Sequence, residues 1–211
     1  MPKLADFPPA LAADFVLGAA KATQFPAVAP LEIAFLGRSN CGKSSLINKF
    51  LGRRGLARVS GTPGRTREIN FFRILFRKDS ESFLVADLPG YGYARAPRSQ
   101  ILSWKPLVEG YLKRKRNQKA YLLMDIRRDF AAEESLIVSL LQGLAIPVTV
   151  VATKRDKLKK GAEAKRAAEI RASLPEGVDL LLFSSLTGEG RREFILDALS
   201  PLYPRADGEL R

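Results

Sequence analysis

Leu31-Glu32-Ile33-Ala34-Phe35-Leu36-Gly37-Arg38-Ser39-Asn40-Cys41-Gly42-Lys43-Ser44-Ser45-Leu46 joins two kinds of chain through one glycine-bounded turn. Leu31–Leu36 is a short, mostly apolar run that stops at Gly37, the pattern of a buried strand. Lys43–Leu51 carries apolar residues at helical spacing, and Gly52 follows as a C-cap residue. Between them Gly37 to Ser44 fits G-x-x-x-x-G-K-[ST], in the strand, loop, helix setting the pattern requires. Gly37 and Gly42 let the backbone turn and approach a ligand closely. Successive N–H groups and the helix N-terminus then face phosphate oxygens. Lys43 adds a point charge for β/γ oxygens, and the Ser44 hydroxyl can take one Mg²⁺ position.

Outward from this stretch, strand and helix patterns alternate. Glu68–Arg77 and Ser82–Ala86 read as a hairpin across a polar turn. Ser99–Arg116 reads as a helix, Ala120–Asp125 as a strand and Ala131–Leu144 as a helix. Val148–Thr153 and Val178–Phe183 read as strands, Ala162–Ser173 and Arg191–Leu199 as helices. The alternation predicts a three-layer α/β/α domain with about six strands, mostly parallel and made mixed by the hairpin. Residues 31–200 form that domain in this reading. Residues 1–30, with Pro2, Pro8, Pro9, Pro26 and Pro30, form an N-terminal extension in which Leu11–Lys21 is expected as a short helix packed outside. Residues 201–211 are expected to fray.

The chain has 211 residues, no His and one Cys. Without His there is no Ser-His-Asp or Cys-His triad and no His metal site. One Cys excludes an intramolecular disulfide and a Cys-rich zinc cluster, and points to a cytoplasmic protein. No apolar run approaches the roughly 18 residues of a membrane span. Asp6 and Asp14 flank and interrupt the first apolar stretch, which argues against a signal peptide, and the nearly uncharged polar face of the N-terminal segment gives little support to a membrane-associated GTPase.

Asp87-Leu88-Pro89-Gly90 follows the strand Phe83–Ala86. An Asp at a strand's C-terminal end reaches the crevice of an open α/β sheet and can hold Mg²⁺ through water. The Gly90 N–H can meet a γ-phosphate, whose loss would release the loop. Lys43 and Gly90 are therefore the residues expected at the reacting phosphate. Gly61-Thr62-Pro63-Gly64-Arg65-Thr66 lies where a switch loop could cap Mg²⁺, with Thr66 the expected ligand and Thr62 the spare. Thr153-Lys154-Arg155-Asp156 follows the strand Val148–Ala152. A carboxylate at Asp156 can accept both N1–H and N2–H₂ of guanine, which adenine cannot supply; such a site rejects the analogue by roughly 10⁴-fold. The Lys154 stem can lie over the base, and an N–H in Ser184-Ser185-Leu186 can reach guanine O6.

These segments, in this order, resemble the EngB family, also called YihA or YsxC, of translation-factor-related GTPases. The specific part is Thr62-Pro63-Gly64-Arg65-Thr66 with Asn70-Phe71-Phe72 and Asp87-Leu88-Pro89-Gly90-Tyr91-Gly92-Tyr93-Ala94, and the resemblance runs over roughly residues 10–200. It implies a bacterial GTPase that assists assembly of the large ribosomal subunit, with a link to cell division and septation. It makes Gly64, Arg65 and Thr66 part of the nucleotide site and Thr66 the switch threonine. Thr153 stands where most GTPases have Asn, which implies fewer ties between base and phosphate loop and a modest nucleotide affinity. Cys41, where a small apolar residue is commoner, reads as a buried hydrophobe. Asp125 reads as a structural strand-end carboxylate, and Arg127-Arg128-Asp129 after it is more basic than the family's segment.

Tyr91 follows Gly90 where Ras-like enzymes have a water-orienting Gln, so intrinsic hydrolysis is expected to be slow and completed by a partner or an ion. Asn40 matches the phosphate-loop Asn of related GTPases that use K⁺, which makes K⁺ a candidate ion. The net charge of +13 gathers in residues 53–78, 113–119 and 154–171, and the rest of the chain is net negative. Three basic runs favour contact with RNA through shape and backbone, hence with rRNA and ribosomal proteins of the large subunit. The chain is expected as a monomer. Two other readings stay open. A P-loop ATPase or kinase would show ATP competing with GTP. A basic RNA-binding protein with a regulatory nucleotide site would keep its function in Lys43→Ala.

Overall fold

The computed structural model describes residues 10–27, 29–57, 68–75, 82–91, 106–114, 118–159 and 161–201. In chain order the elements are β1 (Ala12–Ala19), β2 (Glu32–Gly37), α1 (Lys43–Leu51), β3 (Ile69–Leu75), β4 (Phe83–Asp87), α2 (106–112), β5 (Gln118–Asp125), α3 (Ala132–Gly143), β6 (Val148–Thr153), α4 (Glu163–Ser173), β7 (Asp179–Phe183) and α5 (Arg191–Leu199). Among the described residues the strands form one seven-stranded sheet in the order β1-β3-β4-β2-β5-β6-β7. β2 pairs in parallel with β4 and β5, and β5-β6-β7 continue in parallel. The antiparallel pair β3/β4 is the hairpin read from the sequence.

Every residue of β2, β5 and β6 is buried, as expected of strands covered on both faces. Alternate residues feed two cores. Ile33 and Phe35 of β2 pack with Leu46 and Phe50 of α1 and Phe194 of α5. Ala34 and Leu36 pack with Tyr111 of α2, Val138 and Leu141 of α3 and Ile170 of α4. The sheet is thus the middle of three layers. Its parallel strands all end at one edge, where Asp125 lies opposite Thr153 and Thr153 opposite Phe183.

Two expectations are corrected. Leu11–Lys21 is not a helix: Ala12–Ala19 is an extended strand, antiparallel to β3 from Ala12 opposite Leu75 to Ala19 opposite Ile69. A spacing of four, as in Leu11, Phe15 and Ala19, places residues on one side of a helix and of a strand alike. A register shift between Phe15 and Leu17 further breaks the period of two that would have marked the strand. The sheet accordingly has seven strands rather than about six. β1 covers the flank that β3 would otherwise expose. The expected fraying of the tail beyond residue 201 lies outside the described residues.

Candidate functional site

Gly37 to Ser44 forms the loop from the end of β2 into the first turn of α1. Gly42 precedes the helix at φ 101°, in the left-handed region that glycine enters without strain. A Cβ on Gly37 would lie 2.7 Å from the Leu123 carbonyl oxygen, so no side chain fits there. The amides of Lys43, Ser44 and Ser45 belong to the first turn of α1 and have no helical acceptor, which leaves them to face an anion. Asn40 adopts a left-handed φ of 64° without being glycine. The Ser39 amide donates to the Tyr91 carbonyl at 2.9 Å, and the Tyr91 amide to Gly37 O at 3.3 Å. These bonds stitch the phosphate loop to the end of Asp87-Leu88-Pro89-Gly90.

Asp87 ends β4, and its carboxylate lies 2.7 Å from Lys43 Nζ. Burial works against the Lys43 ammonium, and the adjacent Asp87 charge and hydrogen bond outweigh it, so the lysine is held above its ordinary range. Leu88 is buried, and its amide donates to Phe35 O at 3.1 Å. Pro89 is buried and Gly90 sits beside Ser39. The Tyr91 ring turns into the core, with its hydroxyl 3.4 Å from Glu134 Oε1. Burial and the neighbouring glutamate push that phenol far above its ordinary range. Cys41 is buried and, chiefly through desolvation, pushed up to about 11, the behaviour of an inert hydrophobe.

Thr153 ends β6 beside this loop. Its hydroxyl lies 2.5 Å from Cys41 O and 2.9 Å from Met124 O. Threonine thus reaches the phosphate-loop backbone directly, through its one hydroxyl. Lys154 has φ 60° and sends its ammonium back to Asn40 O at 2.8 Å. Asp156 lies in the 3-10 turn Arg155–Lys157, and the Ser184 hydroxyl donates to its Oδ1 at 2.7 Å. The Ser184 amide is committed to Glu189 O at 3.0 Å. A backbone donor for a base oxygen must therefore come from Ser185 or Leu186.

A cleft of about 490 Å³ lies against the phosphate loop, lined among others by Asn40, Cys41, Met124, Arg127, Glu134 and Lys154. Asp125 lies on its wall, with Arg127 and Lys154 both on its carboxylate. The hydrogen bonds from Arg127 hold that carboxyl well below the usual carboxylate range. Sequence reading gave Asp125 no part in the site; a carboxylate at the end of the strand beside Thr153 was the signal that could have placed it. Thr62, Gly64, Arg65 and Thr66 lie outside the described residues. The structure therefore brings Gly37–Ser45, Asp87–Gly90, Thr153, Lys154, Asp156 and Ser184–Leu186 to one edge of the sheet.

The family described as 50S ribosome-binding GTPase matches residues 32–154. A probable GTP-binding protein EngB from Desulforamulus reducens is 44% identical over 188 residues, spanning 88% of this chain and 90% of the relative. A second, from Solibacter usitatus, is 46% identical over 184 residues, spanning 87% and 92%. The crystal structure of a probable GTP-binding protein engB superposes with a TM-score of 0.64 at 23% identity, over 82% of this chain and all of that one, and shows the same fold. No described helix is long and apolar enough to cross a membrane. With family match and relatives spanning most of its length, the chain belongs to the EngB family of P-loop GTP-binding proteins.

Proposed function

We propose that the protein binds GTP with Mg²⁺, hydrolyses it to GDP and phosphate, and uses the change as a switch in large ribosomal subunit assembly. The observation that carries the nucleotide part is the joining of two loops. Thr153 and Lys154 both bond the backbone of the phosphate loop, while Ser184 aims Asp156. Base and phosphates would thus be held by one preorganised unit.

Hard oxygen donors suit Mg²⁺: the Ser44 hydroxyl lies in the first turn of α1, and Asp87 is buried at the end of β4, on Lys43 of the same turn. Among the described residues no three acidic or thiol side chains cluster as a self-sufficient metal cage. That suits an ion shared with phosphate oxygens, with Thr66 as a further ligand. Bound there, Mg²⁺ would neutralise charge on the β- and γ-oxygens. Lys43 is held charged by Asp87 and would turn to the same oxygens when nucleotide is bound. Gly90 offers its N–H to the γ-phosphate. Phosphoryl transfer needs positioning and charge more than a proton acceptor, so the absence of His is no obstacle. Tyr91, turned into the core, supplies no water-orienting group. Hydrolysis is slow in this reading until a partner, or K⁺ held by the Asn40 side-chain oxygen, completes the site.

The ribosomal part draws support from the family's description and from the basic runs. In this reading the protein works as a cytoplasmic monomer without stable membrane association, with a link to cell division and septation. Co-sedimentation with purified large subunits tests it. Retention with a non-hydrolysable GTP analogue but not GDP, declining steeply with salt, is expected. Equal retention in both states would remove the switch, and none would remove the partner.

A further inference from the structure

Asp125 ends β5 directly opposite Thr153 in the β6 register. Only 7% of the residue is exposed. One carboxylate oxygen, Oδ1, accepts from the Arg127 amide at 3.1 Å and from Arg127 Nε at 2.9 Å. The other, Oδ2, accepts from Arg127 Nη2 at 2.6 Å and lies 3.1 Å from Lys154 Nζ. That same ammonium donates to the Asn40 carbonyl at 2.8 Å. The loop after Asp125 is itself clamped from α4. Arg166 Nε donates to Ile126 O at 2.8 Å, and its Nη2 donates to Arg128 O at 2.5 Å and to Asp129 Oδ1 at 2.9 Å.

The two partners differ in freedom. Asp125 is short, buried and held by Arg127. Lys154 has a four-carbon stem, leaves the strand through a left-handed backbone, and is one-third exposed at its side chain. An ammonium bonded to Asn40 alone would trade that contact readily for water. With the carboxylate on its other side it is fixed from two directions.

We propose that Asp125 is a positioning residue of the nucleotide site: its carboxylate locks the Lys154 ammonium against the Asn40 carbonyl, so that the lysine stem is preset along the base. The inference rests on the reading of Thr153–Asp156 as the guanine loop. Lys154 touches the base side and the loop backbone, not the transferred phosphoryl group. Loss of Asp125 therefore falls on nucleotide retention, equally for GDP and GTP, and not on the chemical step.

The test is dissociation of fluorescent GDP and of a fluorescent non-hydrolysable GTP analogue from the full chain, by stopped flow. It compares wild type, Asp125→Asn, Lys154→Met and the double variant. Asp125→Asn is expected to speed release of both nucleotides roughly tenfold, about what one charge-assisted hydrogen bond contributes. The double variant should release no faster than Lys154→Met, because Asp125 acts through that lysine. KM should rise with kcat within about twofold of wild type. Arg127→Gln keeps the Arg127 amide bond to Oδ1 and the carboxylate beside Lys154 while removing the guanidinium bonds, and should have the smaller effect; thermal unfolding of each variant guards against a folding artefact. Wild-type release from Asp125→Asn, multiplying effects in the double variant, or an Arg127→Gln effect as large as that of Asp125→Asn would each overturn the proposal. With wild type binding guanine nucleotides tightly, such outcomes sink the role of Asp125 alone. A wild type that prefers ATP would sink the guanine reading with it.

Discussion

The Thr153 hydroxyl lies 2.5 Å from the Cys41 carbonyl, so the end of β6 is bonded to the middle of the phosphate loop. The hydroxyl has one proton and two acceptors, Cys41 O and the more distant Met124 O at 2.9 Å. The shorter contact is the one across the site. A threonine at this position gives up the reach of a longer amide but keeps the loop fixed from the base side.

Thr153→Val preserves the shape and removes that proton. The two carbonyls then lose a buried donor, which costs about 1 to 2 kcal/mol of stability. If the bond also presets the phosphate loop, GDP affinity falls about tenfold for a comparable loss of binding energy. Chemical denaturation and titration with a fluorescent GDP read the two effects separately. An affinity equal to wild type alongside lowered stability would confine the bond to folding.

Ser184→Ala addresses the base side. Its hydroxyl donates to Asp156 Oδ1 at 2.7 Å and accepts from the Thr187 amide at 3.1 Å. Without it Asp156 is free to rotate away from the two guanine donors. GDP binding should weaken by about tenfold while ADP binding stays poor, so guanine preference narrows. Competition of GDP and ADP against a fluorescent guanine nucleotide measures this ratio, and an unchanged ratio would show that Asp156 is aimed by the turn Arg155–Lys157 alone.

How much could be read from sequence follows from how local each signal is. Lys43–Leu51 is bounded by Gly42 and Gly52, and the helix has those limits because both caps are written into the chain. Val148–Thr153 is likewise a short apolar run between turns. β1 is not legible locally because its identity depends on β3, fifty or more residues away, and its spacing of four serves either structure. At the site, the loops were legible from motif and position. The bonds among their side chains were not. Asp125 meets Lys154, and Ser184 offers Asp156 its hydroxyl while its amide goes to Glu189, because strand register sets these neighbours and no local pattern encodes them.

Tyr91→Phe separates two roles that the residue after Gly90 could have. The hydroxyl is 3.4 Å from the buried Glu134 carboxylate and the ring packs in the core. Removing the hydroxyl should lower Tm by a few degrees, in line with a weak buried hydrogen bond of about 1 kcal/mol. Single-turnover GTP hydrolysis should stay within about twofold of wild type, since no part of the side chain orients water. A fall in hydrolysis of tenfold or more without loss of stability would show that the tyrosine leaves the core during turnover.

The thiol of Cys41 gives a pH-dependent test of how tightly the phosphate loop is packed. Burial pushes it from an ordinary 9.0 up to about 11 in the native protein. Between those values the unfolded chain has released a proton that the native chain keeps, so the unfolded state binds fewer protons and stability falls as pH rises. The loss should begin near pH 9 and reach about 2 to 3 kcal/mol above pH 11. Cys41→Ala should flatten that limb of the stability curve relative to wild type. At pH 8 the native thiolate fraction is roughly a hundredfold below that of the unfolded chain, so alkylation by iodoacetamide should be slower in buffer than in denaturant by at least that factor. Rapid labelling of the native protein at pH 8 would mean that the loop opens far more often than its bonds to Thr153 and Tyr91 imply.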